Sequence, residues 1–411
     1  MSNGFAIYES VVPTLPMLAF LSVTLGKQIA ASQLSNTERR YLTYIELQAE
    51  RLPRSELQKL LRSDSETERN SAVSMDEVFL VLKGICLCAN STLHFGVDKS
   101  LNYLTQMRVF KDIQAHSNLH AKARSVIFIM ISWICMLYSA TELKEPCHLR
   151  IDSSQHANLN TPIREVGASE YSICELIPQY GSLLPVKSLP VDYYAKETFD
   201  TLKVSLLNAN TLVRIGGLRI QWVNNVSAHL SLDMEQKSLM IFAMPTFCDL
   251  HRFEGTIFEK IISGYYDQYS KPDRFSSIEY LREIRISYRL LFADDWRAYR
   301  WYRRIAPSSV ETLGLFDSYL DELSKPLSSS TNSYSADTDF PILGSRLIDL
   351  QNYIDRQNPG TIVMLWRDRR DMLRWYTFWV VTIIGGLGIV IALLSAGLAA
   401  AQVYYAIPSG A

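Results

Sequence analysis

Asp112, His116 and His120 recur at i, i+4 and i+8. On a helix that spacing puts all three side chains on one face, where neighbouring pairs have the reach to chelate a divalent cation. The run lacks the glutamate of HExxH, and no fourth ligand stands at a matching distance. A solvated helix face without metal is therefore the expectation. Cys147-His148 and Cys248 with His251 have no partner pair at zinc spacing. The six cysteines are sparse and irregular, which fits reduced thiols better than a disulfide framework.

A second concentration of chemistry lies further along. Arg282, Arg285, Arg289, Arg297, Arg300, Arg303 and Arg304 crowd beside Trp296, Tyr299, Trp301 and Tyr302, opposed by Glu283, Asp294 and Asp295. Such a face can rest on anionic headgroups, contact phosphates and stack on bases, or cover aromatic core positions with arginine stems. The last is the expectation, lipid contact is the alternative, and nucleic acid is not expected. Asp294-Asp295 fits a turn or the start of a helix, because adjacent helical residues point to different faces. There is no GxSxG elbow, no GxxxxGK[ST] and no GxGxxG. No catalytic residue and no cofactor are expected.

The elements that must carry these residues end in an apolar run. From Trp375 to Ala411 no charged side chain occurs, and Tyr376 to Ala401 exceeds the ~20 residues needed to cross a bilayer. Trp375 and Trp379 mark one end, Tyr404 and Tyr405 the other, as interfacial belts do. Arg367, Arg369, Arg370 and Arg374 precede the run and no basic residue follows it. That asymmetry predicts a cytosolic N-terminal region, and the position of the span predicts a tail-anchored topology. Hydrophobicity and the lack of a basic tail lean towards the endoplasmic reticulum or connected membranes. Gly388, Ala392, Ala396 and Ala400 form a small-residue stripe of the kind that lets helices pack and dimerise. Val11 to Gly26 holds Pro13 and Pro16 and lacks a basic start, which argues against a signal peptide. Ser125 to Thr141 is uncharged but short, and reads as a buried helix.

In the 411-residue chain, 48% hydrophobic and 20% charged residues argue against disorder. A net charge of -1 leaves no global field for an acidic partner. Residues 1–150 read as mainly helical, with Pro53 separating two short helices, and with helices at Met75 to Cys88 and Leu101 to Tyr138. A polar stretch at 152–172 looks like a loop. Residues 151–322 read as α+β, with three short antiparallel strands at 218–223, 229–233 and 238–242 and helices from Ser277 to Ile305. A polar linker at 323–337, an amphipathic juxtamembrane helix within 338–374 and the span at 375–405 complete the chain. The fold class expected is mainly α with a small antiparallel β element in the middle, plus one C-terminal transmembrane helix.

Trp133 to Tyr138 (WICMLY), Tyr180 to Pro185 (YGSLLP), Gly217 to Val223 (GLRIQWV) and Met244 to Cys248 (MPTFC) occur in a distinctive order. Ser287 to Phe292 (SYRLLF), Asp339 to Leu343 (DFPIL), Leu365 to Asp371 (LWRDRRD) and Trp375 to Trp379 (WYTFW) follow. Over about residues 100 to 405 the series resembles a large group of filamentous-fungal proteins of unassigned activity, with one C-terminal span after a WRDRRD segment. The resemblance implies a shared fold and a shared anchor, and no activity. The functional expectation is a tail-anchored protein whose cytosolic domain is a non-enzymatic binding or scaffold module. Its partners would be membrane lipid and either another protein or a second copy. A membrane-bound enzyme and a structural protein dimerising through its span are the alternatives.

Overall fold

A computed structural model describes residues 12–61, 73–92, 94–114, 117–141, 148–157, 159–185, 201–262, 276–311, 331–357 and 372–406. The fold is mainly α with small sheets, as expected. Its N-terminal part is a helical layer: α1 (Leu15–Leu25), α2 (Asn36–Arg51), α3 (Arg54–Leu60), α4 (Met75–Ser91), α5 (Val97–Gln106) and α6 (Asn118–Cys135). Several starts follow from capping chemistry. Ser35 with Glu38 and Ser74 with Glu77 form reciprocal boxes that satisfy orphan N–H groups of α2 and α4. Pro53 caps α3 and separates it from α2.

The apolar segment Val11 to Gly26, read as no signal peptide, contributes α1, whose Phe20 and Leu21 are fully buried and which packs along α4. Helix α5 comes close to α4 because residue 84 is glycine; a Cβ there would sit 2.5 Å from Leu104 Cδ2. Helix α6 is the buried helix anticipated for the uncharged stretch from Ser125. Nine consecutive side chains from Val126 to Ile134 are all buried, and each large apolar one contributes roughly 1.5–3 kcal/mol. Tyr41 donates to the Ile134 carbonyl at 2.9 Å and Tyr138 to the Phe128 carbonyl at 2.9 Å.

The middle of the chain carries α7 (Ile173–Leu176), α8 (Val204–Leu207), α9 (Ala209–Arg214) and α10 (Thr246–Leu250). Among the described residues the strands form three small sheets: β1 (His148–Arg150) with β2 (Ile163–Glu165), β3 (Thr201–Lys203) with β7 (Ser333–Ser335), and β4 (Arg219–Val223), β6 (Ser238–Phe242) and β5 (Leu232–Asp233) in spatial order. Three strands do stand near the expected places, but β4 pairs with β6 in parallel, and only β5 with β6 is antiparallel. The connection between β4 and β6 is long enough to cross over rather than turn back.

The segment read as a loop at 152–172 contains β2 and 3-10 turns at Ser153–Gln155 and Val166–Glu170. Helices return as α11 (Ser277–Tyr288), a π-helical turn (Arg289–Ala293) and α12 (Trp296–Glu311). Of the expected linker, residues 331–337 are ordered into the fold: β7 pairs with β3, and the Ser335 N–H donates to Asp339 at 2.8 Å. The amphipathic helix is α13 (Gly344–Arg356), and it does not stand apart as a juxtamembrane element. Leu347, Leu350 and Ile354 join one hydrophobic core that runs from Met17 to Ile354. Helix α14 (Met372–Ala406) is the C-terminal span.

Candidate functional site

Asp112 and His120 do not share one helix. The expected helix from Leu101 to Tyr138 breaks after Gln106, Arg108 takes a left-handed φ of 58°, and the N–H groups of Val109 and Phe110 return to the Leu104 carbonyl. Asp112 lies outside any helix or strand. Ser117 then caps a new helix by accepting from the His120 N–H at 3.1 Å, which puts His120 in the first turn of α6. His116 is outside the described residues. Ser117 is the physical reason for the break, since its hydroxyl offers the backbone a helix start where a continuous helix would have none. Among the described residues no three His, Cys, Asp or Glu side chains gather as a metal site.

The arginine-rich stretch divides by partner. Arg285 pairs with Asp249 at 3.0 Å and Arg289 with Asp294 at 3.5 Å. Asp294 also accepts from Tyr334 Oη at 2.5 Å. The Asp295 carboxylate accepts from the N–H groups of Arg297 and Ala298 at 2.9 and 2.8 Å, the helix-start role expected of it. Arg297, Arg300 and Arg304 fall at i, i+3 and i+7 on one face of α12. The guanidiniums of Arg297 and Arg300 lie 5.3 and 4.7 Å from the Trp296 ring, whose residue is 59% exposed. Arg303 lies over Tyr299 at 5.8 Å.

Helix α9 faces this surface. Asn210, Val213 and Arg214 from α9, with Trp296, Arg297, Arg300, Trp301 and Arg304 from α12, line a cavity of about 370 Å³. Among the described residues no acidic side chain lines it. Behind it, Phe292 of the π turn stacks between Trp222 of β4 and Trp301, with Tyr302 at 5.0 Å. The aromatic stack fixes α12 to the sheet, while the arginine guanidiniums lie over the exposed Trp296 and the half-buried Tyr299 rather than over core rings. Arg214 escaped sequence reasoning because α9 is distant in the chain and meets α12 only in the fold.

Buried ionisable groups elsewhere are committed to structure. His229 Nδ1 accepts from the Phe242 N–H at 3.2 Å, so its Nε2–H points at Ser287 Oγ, 2.7 Å away. Ser287 in turn donates to the Ile284 carbonyl at 2.7 Å. That tautomer leaves no base to activate the hydroxyl, so the pair fastens β6 to α11 and is not a nucleophilic dyad. Burial lowers His229 to about 3, with Arg346 adding to it. Glu283, fully buried, accepts from the N–H groups of Ile342 and Leu343 at 3.0 and 2.6 Å and so holds the start of α13. Burial nonetheless pushes its carboxyl up to about 8. Arg346 donates to the carbonyls of Ser227 and His229 at 2.8 and 2.5 Å.

Burial likewise raises the thiols of Cys86 and Cys135 to about 12, away from the reactive thiolate. Among the described cysteines none forms a disulfide.

Helix α14 differs in kind. Tyr376–Gln402 spans 27 residues, its most apolar 18-residue stretch has a mean hydropathy of 2.4 and none of that stretch is buried, so the helix is long and apolar enough to cross a membrane. Gly388, Ala392, Ala396 and Ala400 lie along it in exposed positions, and Trp379 stands near its start. Arg374 and Trp375 belong to α14, whereas Arg367, Arg369 and Arg370 lie outside the described residues. Comparison with protein-family models, curated proteins and solved structures returns no match.

Proposed function

We propose that the chain is a single-pass membrane protein whose folded region, residues 12–357, is a non-enzymatic binding or scaffold module at the cytosolic face of the endoplasmic reticulum or a connected membrane. The observation that carries this reading is α14, with a 27-residue stretch free of charged side chains and no protein cover over its most apolar part. Apolar surface on that scale is stabilised by hydrocarbon and penalised by water. The orientation rests on the four arginines from Arg367 to Arg374 against none beyond the span. The absence of enzymatic chemistry is supported by how the buried His229, Ser287 and Glu283 and the half-buried Arg346 are used, each in holding one element to another.

Protease protection on isolated membranes, with an epitope tag at each end, tests the reading. Loss of the N-terminal tag with a protected C-terminal fragment is expected. A protected N-terminal region would overturn the orientation. The two glycosylation sequons give an internal check of unequal weight. Asn225 is buried, with its amide bonded to Ser139 Oγ and the Gln155 carbonyl. Asn90 is exposed and accepts from Lys260 at 2.6 Å, so Asn90 is the position that would report a lumenal fold.

A further inference from the structure

We propose that the cavity between α9 and α12 is a binding site for a phosphate monoester, carried by a lipid headgroup or by the free phosphorylated polyol. The inference deepens the function proposed above and rests on it only for the lipid as source. Four arginines, Arg214 from one wall and Arg297, Arg300 and Arg304 from the other, line one space, with no carboxylate among the described residues of its lining. Nothing in the overall charge calls for this, since the chain is balanced at -1. Gathering like charges is unfavourable unless an anion occupies their centre.

Trp296 makes the arrangement more than a loose charge patch. Stacking on its ring holds Arg297 and Arg300 in set planes, which reduces the ordering needed to form forked hydrogen bonds with an oxyanion. A phosphate monoester offers nearly two charges and three acceptor oxygens, enough to engage several forks together, where a carboxylate saturates one or two. The volume of about 370 Å³ falls within the usual range of about 300–1,000 Å³ for small-molecule sites. Val213, Trp296 and Trp301 supply apolar wall for the carbon part of the headgroup. A single pit of this size suits a headgroup better than nucleic acid, which asks for a charged groove that follows a backbone.

The test uses the full chain in neutral detergent micelles at physiological salt, where diffuse surface attraction is screened. Phosphatidic acid in mixed micelles, its free headgroup sn-glycerol 3-phosphate, and a single-stranded oligonucleotide are titrated by calorimetry. Saturable binding of phosphatidic acid is expected, weakened at least tenfold by Arg214→Gln and by Arg300→Gln separately. Arg300→Lys, which keeps charge but loses the fork, should fall between. Arg219→Gln removes the same charge from exposed β4 and should change affinity less than twofold. Comparable binding of glycerol 3-phosphate supports the site with the free ester as a source, and binding of the lipid alone supports it with the membrane as the source. No saturable binding, equal loss in Arg219→Gln, or tighter binding of the oligonucleotide would each overturn the proposal. Micelles have no sides, so this outcome is blind to topology, and protease protection can fail without it.

Discussion

Three buried histidines and one buried glutamate make the folded region a pH-dependent object. Burial lowers His156, His229 and His251 to about 3, with Arg346 adding to the effect on the first two. Each takes up a proton near pH 6.5 only when the chain unfolds, so each adds stability above that pH. That stability is lost as pH falls from 6.5 through 3, by up to about 1.4 kcal/mol per unit and histidine. Glu283 has the opposite sign. Its folded value of about 8 lies above its ordinary 4.5, so stability declines as pH rises between the two. Together these four groups put the stability maximum near pH 6.5, which denaturant titration across pH 4 to 8.5 measures. His251 separates the contributions. It is fully buried among Tyr41, Phe247 and Phe258, and neither ring nitrogen has a hydrogen-bond partner. An unsatisfied buried polar group costs about 1–3 kcal/mol, and leucine is close to histidine in volume. His251→Leu is therefore expected to match or exceed the parent at pH 7, and to lose less stability between pH 6.5 and 4.5. An unchanged acid slope would show that this ring is protonated in the folded state.

Among the elements, what reached the surface of the sequence is what depends on neighbours in the chain. The Ser-x-x-Glu boxes at Ser35 and Ser74, the proline at 53 and the apolar run of α14 are local signals, and the elements follow them. Alternation in the sequence located β4 and β6, although neither is buried with period two: all five side chains of β6 are buried, and β4 passes from an exposed to a buried end. Strand direction is not local, and the parallel register of Arg219 to Ser238 comes from a path through Leu230 and Lys237, both at left-handed φ. The Asp112 to His120 face failed because periodicity ignores a cap in its middle. The arginine cavity was half readable: the three α12 positions share a helical face, while Arg214 arrives through tertiary packing. That packing turns on the π segment, where Phe292 is fully buried among Trp222, Tyr288, Trp301 and Tyr302. Phe292→Ala should cost about 3–5 kcal/mol, with faster amide exchange at 296–304 than in α1 or α4. A loss below about 1 kcal/mol would mean that α12 is held by other contacts.

On the scale of the whole molecule, the regions that composition divides at about residue 150 share one core. Tyr41 of α2 packs on Phe247 of α10 at 5.9 Å, and the Val226 N–H donates to the Met136 carbonyl at 2.7 Å. The Ile173 N–H donates to Phe95 at 2.8 Å, and the Gln351 side chain accepts from the Lys203 N–H at 2.8 Å. Helix α13 closes the assembly from the C-terminal side, through Arg346 on the loop after β4 and Ile354 in the core. Contacts of such sequence separation leave neither half with a complete apolar face to bury, and a half-core cannot offset the entropy of ordering its own chain. The folded region is thus expected to unfold in one transition in the full chain, with tryptophan fluorescence and far-UV circular dichroism coincident. A fragment of residues 1–150 should lack cooperative unfolding and bind a hydrophobic dye. Two separated transitions, with a cooperative 1–150 fragment, would instead establish an independent N-terminal domain. The coupling reaches α13, the last described helix before the span, which is fastened to residues as distant as Ser227 and Leu183. Such long-range fastening predicts that α13 unfolds with the rest of the core, and that Arg346→Ala lowers the stability of the whole folded region rather than of α13 alone, which a shift of the single unfolding transition would measure.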